Sequence, residues 1–159
     1  MSIRSTSKAI ILNNGQVLVN RCYDKNNGEY FSLPGGGQNI YETLHDAVVR
    51  ECLEETGYTI YPIRFAALCE VICDNISFRE QHPDYAHKMY HIFVCGLCND
   101  IIKNPTEIDS MQIDSEWMDV NNLCNIRLLP KVLGDSIQKI INGESTVFLG
   151  SEHVAFNHG

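Results

Sequence analysis

The feature that most constrains this 159-residue chain is a helix whose negative charge falls on its inward side. Residues 43–56 read as one helix. Thr43 with Asp46, or alternatively Asn39 with Glu42, supplies the N-cap pair, and Gly57 supplies the stop. Helical residues three and four apart share a face. Leu44, Ala47 and Val48 therefore form an apolar stripe, and Glu51, Glu54 and Glu55 continue it. A solvated acidic face would lie opposite that stripe, not in line with it. The cluster is also costly. Like charges at i,i+4 cost about 0.2–0.5 kcal/mol per pair. Negative charge near a helix C-terminus opposes the macrodipole by a further ~0.3–1 kcal/mol. Only Arg50 is near enough in sequence to offset this. An inward cluster of this cost is explained if it holds a cation. All-oxygen ligands select a hard ion, Mg²⁺ or Mn²⁺, and such an ion usually shares its site with substrate phosphates. The chemistry that follows is phosphoryl transfer to a water that the metal helps to ionise.

The rest of the chain supplies a sheet for this helix. Residues 8–12 read as a buried strand and residues 16–21 as an alternating one, joined by the Asn13-Asn14-Gly15 turn. Residues 23–29 read as a polar loop and residues 30–33 as a short strand. Pro34-Gly35-Gly36-Gly37 then breaks regular structure. Extended segments are expected at 58–63, 65–73, 90–97 and 116–120, and a second amphipathic helix at 131–142, with Leu133, Ile137, Ile140 and Ile141 on one face. The residues from 144 onward carry no clear pattern. This order predicts an α/β fold, a mixed sheet with helices on its faces, in a single domain over 1–159.

Twelve basic against twenty acidic residues give a net charge of −8, so a nucleic acid polymer is not an expected partner. A nucleotide is not excluded, because a divalent cation can bridge carboxylates to phosphates. Residues 1–8 are polar, no apolar run reaches the ~18 residues of a membrane helix, and the seven cysteines are an odd count. The expectation is a cytoplasmic chain, no membrane, and cysteines that act mostly as small buried hydrophobes.

The glycine run is not a phosphate-binding loop of the Gly-Lys-Ser/Thr type, since Gln38-Asn39 follows it. Glycine here would let backbone atoms approach an ion or a phosphate. The spacing is more specific. Gly36, five residues, Glu42, seven residues, then Arg50-Glu51-Cys52-Leu53-Glu54-Glu55-Thr56-Gly57-Tyr58 resembles the Nudix box, with Cys52 and Tyr58 at the two bulky aliphatic positions. Residues 17–21, 31–34, 116–118 and 128–130 are similar to the context of that box. The resemblance implies the Nudix α/β/α sandwich and hydrolysis of a nucleoside diphosphate linked to another moiety. It implies metal ligation by Glu54, Glu55 and the Gly35 carbonyl. Glu51 would be ligand or general base, Arg50 would orient Glu51, and Glu42 would support the site or bind a further ion.

In several Nudix members a further carboxylate lies outside the box. Glu107, Asp109, Asp114, Glu116, Glu70, Glu80 and Asp84 are the candidates. Arg21 could meet a phosphate, and Tyr30 and Phe31 could stack a base. Cys73 and Asp74 stand where some subfamilies carry a marker Pro or Tyr, which weakens an ADP-ribose or dinucleoside polyphosphate reading. A zinc site drawn from Cys69, Cys73, His82, His87, His91, Cys95 and Cys98 has poor geometry if the strand from Tyr90 runs on through Cys98, because Cys95 and Cys98 then point to opposite faces. The remaining rival is a Nudix-type module that binds a nucleotide or a protein without turnover. The expected partner is a nucleotide-type small molecule, and a homodimer is left open.

Overall fold

The computed structural model describes residues 2–143 and 145–158. β1 (Arg4–Asn13) and β2 (Gln16–Asp24) pair antiparallel across the Asn14-Gly15 turn, whose two residues take φ of 51° and 74°. β3 (Gly28–Ser32) and β4 (Gly35–Gly37) follow, then α1 (Leu44–Thr56). β5 (Tyr58–Cys73), α2 (Ile76–Gln81) and β6 (His87–Ile102) come next, then β7 (Gln112–Asp119), α3 (Lys131–Gly134), α4 (Ile137–Asn142) and β8 (Val147–Val154). The strands run in the order β3-β2-β1-β6-β5-β8, with β4 also on β1 and β7 also on β2. The pairs β1–β6 and β5–β8 are parallel and the others antiparallel, so the sheet is mixed.

Alternation along β1 divides the core into two layers. Ala9 and Ile11 turn toward α1 and pack with its Val48 and Cys52, and with Phe93 and Cys95 of β6. Ile10 turns the other way, into a cluster with Val94 of β6 and with Leu133, Ile137 and Ile140 of α3 and α4. Helices thus cover both faces of the sheet, and the fold is the expected α/β/α sandwich. No helix among the described residues is long and apolar enough to cross a membrane.

Three local expectations need correction, and one stretch left without a reading gains a strand. The helix over 131–142 is two short helices, broken at Asp135 and Ser136. Its apolar positions still face inward, with Leu133 and Ile137 at 1% exposure and Ile140 at 3%. The chain is pinned at Gly134, where a Cβ would stand 2.4 Å from the Leu128 carbonyl oxygen. The glycine run is a strand rather than a break: Gly35, Gly36 and Gly37 pair with Lys8, Ser7 and Thr6. The segments 58–63 and 65–73 are one strand, β5, whose pairing with β6 is irregular around Pro62, which has no N–H to donate. Val147–Val154 of the unpatterned tail forms an edge strand beside β5.

Candidate functional site

The ends of α1 form as its sequence dictates. Thr43 Oγ1 accepts the Asp46 amide at 3.0 Å, and Gly57 takes φ of 76° while its N–H closes on the Leu53 carbonyl at 2.9 Å. These ends set where the helix starts and stops, and the packing of Val48 and Cys52 on the sheet sets its rotation and with it the direction of the glutamates. Ala47, Val48, Cys52 and Glu55 are buried, and Glu51 and Glu54 are half-buried. The acidic residues therefore do extend the inward stripe.

Two glycines of β4 make the approach feasible. A Cβ on Gly36 would lie 2.4 Å from Glu51 Oε2, so the carboxylate rests where any side chain would stand. Gly35 adopts φ of 132°, and a Cβ there would lie 2.1 Å from the Ser7 carbonyl oxygen. That conformation turns the Gly35 N–H toward Glu55 Oε2, at 3.0 Å.

Arg50 organises one side of the acidic cluster. Its Nε and Nη2 donate to the two carboxylate oxygens of Glu42, at 2.7 and 2.9 Å. Its Nη1 donates to Glu51 Oε1 at 2.9 Å and Glu54 Oε2 at 3.1 Å, and Nη2 also reaches the Gly37 carbonyl at 2.9 Å. The bidentate bond from Arg50 holds the Glu42 carboxyl well below its ordinary value, down to about 2. The same carboxylates raise the Arg50 guanidinium further.

Glu55 sits apart from that hub. It is 8% exposed, and Oε2 accepts from the Gly35 amide and from Asn20 Nδ2 at 3.1 Å. Burial pushes its carboxyl up to about 7, against the opposing pull of Lys8, the Gly35 amide and Asn20. Lys8 Nζ donates to the carbonyls of Gly35 and Leu33, at 2.8 and 3.2 Å. The Gly35 carbonyl, expected from the box as a ligand, thus already accepts one cationic donor and keeps a second lone pair.

Glu51, Glu55 and Gly35–Gly37 line a cavity of about 600 Å³. Arg4, Thr6, Lys8, Lys88 and Tyr90 from the sheet line it as well. Among the described residues no group of three acidic, histidine or cysteine side chains is gathered around one point. Glu51 and Glu54 turn to Arg50, and Glu55 turns to Gly35 and Asn20.

The other sequence candidates divide clearly. Glu107 and Asp109 line the cavity, and the Glu107 amide donates to the Glu54 carbonyl at 3.1 Å. Asp114 accepts two exposed hydrogen bonds from Arg21, at 3.1 and 2.8 Å, and neither residue lines the cavity. Glu70 is held by His87 and Ser151, each at 2.6 Å, while Glu80, Asp84 and Glu116 are exposed. Tyr30 is 2% exposed and stacks on His158, itself a cavity residue, with ring centroids 5.6 Å apart. Phe31 packs on the core instead. Cys22, Cys52, Cys69, Cys73 and Cys95 are buried thiols, and Cys98 and Cys124 are exposed. Tyr58, at the last box position, packs edge-on against Trp117, which donates to its hydroxyl at 3.0 Å.

Sequence reasoning missed Arg4, Thr6, Asn20, Lys88 and the segment around Asn157. For Arg4 and Thr6 the signal was a period of two that continues through Lys8 on β1.

Comparison with known proteins bears on the family and the fold. The model of the NUDIX domain family matches residues 3–140. A Caenorhabditis elegans protein provisionally named nudix hydrolase 1 is 27% identical over 127 residues, which cover 77% of this chain and 30% of the relative. The Bacillus subtilis (strain 168) protein YjhB, provisionally named an ADP-ribose pyrophosphatase, is 32% identical over 92 residues, or 58% of this chain and 39% of the relative. The chain thus spans well under half the length of these curated relatives. A solved NUDIX hydrolase from Nitrosomonas europaea superposes with a TM-score of 0.72 at 14% identity, covering 96% of this chain and 80% of that one.

Proposed function

The chain belongs to the Nudix family, and from that premise we propose that it is a divalent-metal-dependent pyrophosphohydrolase. The proposed substrate is a nucleoside diphosphate linked to another moiety: a nucleoside triphosphate, a nucleotide sugar or ADP-ribose. The observation that carries the reading is the pairing of acidic and basic side chains in one cavity. Glu51 and Glu55 line it, and so do Arg4, Lys8 and Lys88. The acidic groups suit a metal ion, the basic groups suit the phosphates that the ion would share, and the volume matches that of small-molecule sites.

The donor set fits a hard cation. Every candidate donor is an oxygen, and Glu55 is a buried carboxyl whose ionisation calls for positive charge beside it. Mg²⁺ or Mn²⁺ would be held by Glu51, Glu54, Glu55 and the Gly35 carbonyl, with Glu42 in support. When bound it supplies neutralisation of phosphate charge and acidification of a water. The chain's own residues do the rest. Arg50 fixes the carboxylates of Glu51 and Glu54 against rotation. Glu51, seated over Gly36 and lining the cavity, would serve either as a ligand or as the base that takes the water's proton. Lys8, which donates to the Gly35 carbonyl, places positive charge in the cavity, where it would favour the charge that develops on the leaving phosphate.

One observation favours the rival module without turnover: Arg50 already pairs with Glu42, Glu51 and Glu54. The deciding experiment is a panel of nucleoside triphosphates, nucleotide sugars, ADP-ribose and NADH with Mg²⁺, then Mn²⁺. Release of phosphate or nucleotide from at least one class is expected. Tight binding without release across the whole panel would replace the enzyme reading with the module. The proposed setting is cytoplasmic.

A further inference from the structure

The sheet face opposite α1 carries three cations into one cavity. β1 and β6 run parallel with Arg4 opposite Lys88, Thr6 opposite Tyr90 and Lys8 opposite Ile92. Side chains two apart share a strand face, so Arg4, Thr6, Lys8, Lys88 and Tyr90 lie together. Among the described residues, none of these three cations is in an ion pair. This occurs in a chain with only twelve basic residues and a net charge of −8.

Their partners are neutral. Lys88 is 3% exposed, and Nζ donates to Asn157 Oδ1 at 2.7 Å and to the Asn157 carbonyl. Lys8 donates to two backbone carbonyls. The Arg4 guanidinium lies over the Tyr85 ring at 4.8 Å and against Gly37. Burial, with Lys8 and Arg4 nearby, pulls the Lys88 ammonium down to about 7. Thr6 is 4% exposed, and its Oγ1 has no hydrogen-bond partner among the described residues. Lys88 Nζ also lies over the Tyr90 ring, 5.5 Å from its centroid. A buried cation met only by amide oxygens and a neutral ring, beside an orphaned hydroxyl and two further cations, is an unfinished arrangement. A multi-oxygen anion would complete it, accepting from Lys88, Arg4 and the Thr6 hydroxyl together.

We propose that Arg4, Thr6 and Lys88 form a phosphate subsite that needs no metal, and that Asn157 occupies it as a tethered competitor until a phosphate displaces it. The subsite deepens the hydrolase reading and rests on it only in assigning the phosphate to a substrate. Asn157 is well suited to the role. It sits on the segment after β8, which reaches the cavity through Phe156, Asn157 and His158. Its two carbonyl oxygens bind Lys88 as two phosphate oxygens would.

The test uses the full chain in EDTA, with amide chemical shifts and calorimetry as readouts and inorganic pyrophosphate as the probe. Saturable shifts at Thr6, Lys88 and Asn157 are expected. Lys88→Met should weaken pyrophosphate binding by about tenfold or more, the loss of a charge-assisted bond. Lys88→Arg should retain binding, and Asn157→Ala should tighten it. Adenosine should leave these amides unmoved. AMP shifting the same amides would assign the subsite to a nucleotide's own phosphate, and a response to pyrophosphate alone would assign it to the free product. Wild-type affinity in Lys88→Met, or shifts that bypass Thr6 and Lys88 altogether, would overturn the proposal. Neither readout involves turnover, so a chain that hydrolyses nothing can pass and an active hydrolase can fail.

Discussion

Glu42 and Glu55 are the same residue type at the two ends of one acidic site, and their surroundings drive them in opposite directions. Glu42 faces Arg50 through two short bonds, and its carboxyl falls to about 2. Glu55 is desolvated behind Gly35, and its carboxyl rises to about 7. The contrast separates two kinds of acid that look identical in the sequence. On the Arg50 side, the like-charge cost of the cluster is offset within the structure by a single guanidinium. On the Glu55 side the cost persists, softened by a backbone amide, an Asn20 amide and a neighbouring Lys8. A residue kept where its charged form is disfavoured is a functional candidate, whereas one saturated by ion pairs fits scaffolding.

The comparison breaks most visibly in turnover. Glu54→Gln keeps an oxygen that can accept from Arg50 Nη1, so the fold should survive. It removes the carboxylate charge that a hard cation needs. Losing an outer-shell partner typically costs roughly ten- to hundredfold in activity, and losing a ligand should exceed that. The expected result is a fall in kcat beyond a hundredfold, read with the best substrate of the panel at saturating Mg²⁺. An unchanged rate would remove Glu54 from the machinery and with it the reading of the whole cluster.

Arg50→Met comes next and acts on stability. It strands Glu42, Glu51 and Glu54 as neighbouring part-buried carboxylates. The loss should be about 2–3 kcal/mol in urea unfolding, given the cost of removing charged hydrogen bonds and one partner of an ion-pair network. A loss no larger than that of an ordinary surface substitution would show that the hub contributes little.

Titration sharpens the comparison further. Glu55 has a folded value above its ordinary 4.5. Between those two values the folded chain holds a proton that the unfolded chain has released. Its contribution to stability therefore falls as pH rises from 4.5 to about 7, and is flat above. Glu42 runs the other way, contributing stability above 4.5 that is lost as pH falls toward about 2. Glu55→Gln should lack the fall across the upper window. In EDTA near neutral pH it should be at least as stable as the parent chain, although inactive. A Glu55→Gln profile that parallels the parent through this window would show that Glu55 is ionised like any exposed carboxylate.

The sequence made one side of this comparison far more legible than the other. The helix, its caps and its inward acids follow from spacing within a short stretch, and so does the use of Arg50, which shares helix faces with Glu54 and adjoins Glu51. The basic lining depends on a parallel pairing of strands more than eighty positions apart, with Arg4 opposite Lys88. No local pattern encodes that register. The Asn157 contact depends further on an edge strand whose own sequence lacks clear alternation. The division of the helix over 131–142 was equally hidden: its apolar spacing is right for either one helix or two, and only the packing of Gly134 against Leu128 separates them. Arg21 misled for the opposite reason, since a lone strand arginine says nothing about Asp114 on the neighbouring strand.

The smallest expected effect tests the cap that starts the helix carrying both acids. Two pairs competed in the sequence, Thr43 with Asp46 and Asn39 with Glu42. The structure gives the helix to Thr43, whose Oγ1 accepts the Asp46 amide. The Glu42 carboxylate accepts the Asn39 amide at 2.9 Å but is held by Arg50, and Asn39 takes part through its backbone, donating its N–H and accepting the Glu42 amide at 3.2 Å. Thr43→Ala should therefore cost ~1 kcal/mol of unfolding free energy, the usual value of such a cap. Asn39→Ala, which leaves the backbone bonds in place, should cost less than about 0.5 kcal/mol. Equal losses in the two variants would mean that the turn before α1, not Thr43, sets the helix start.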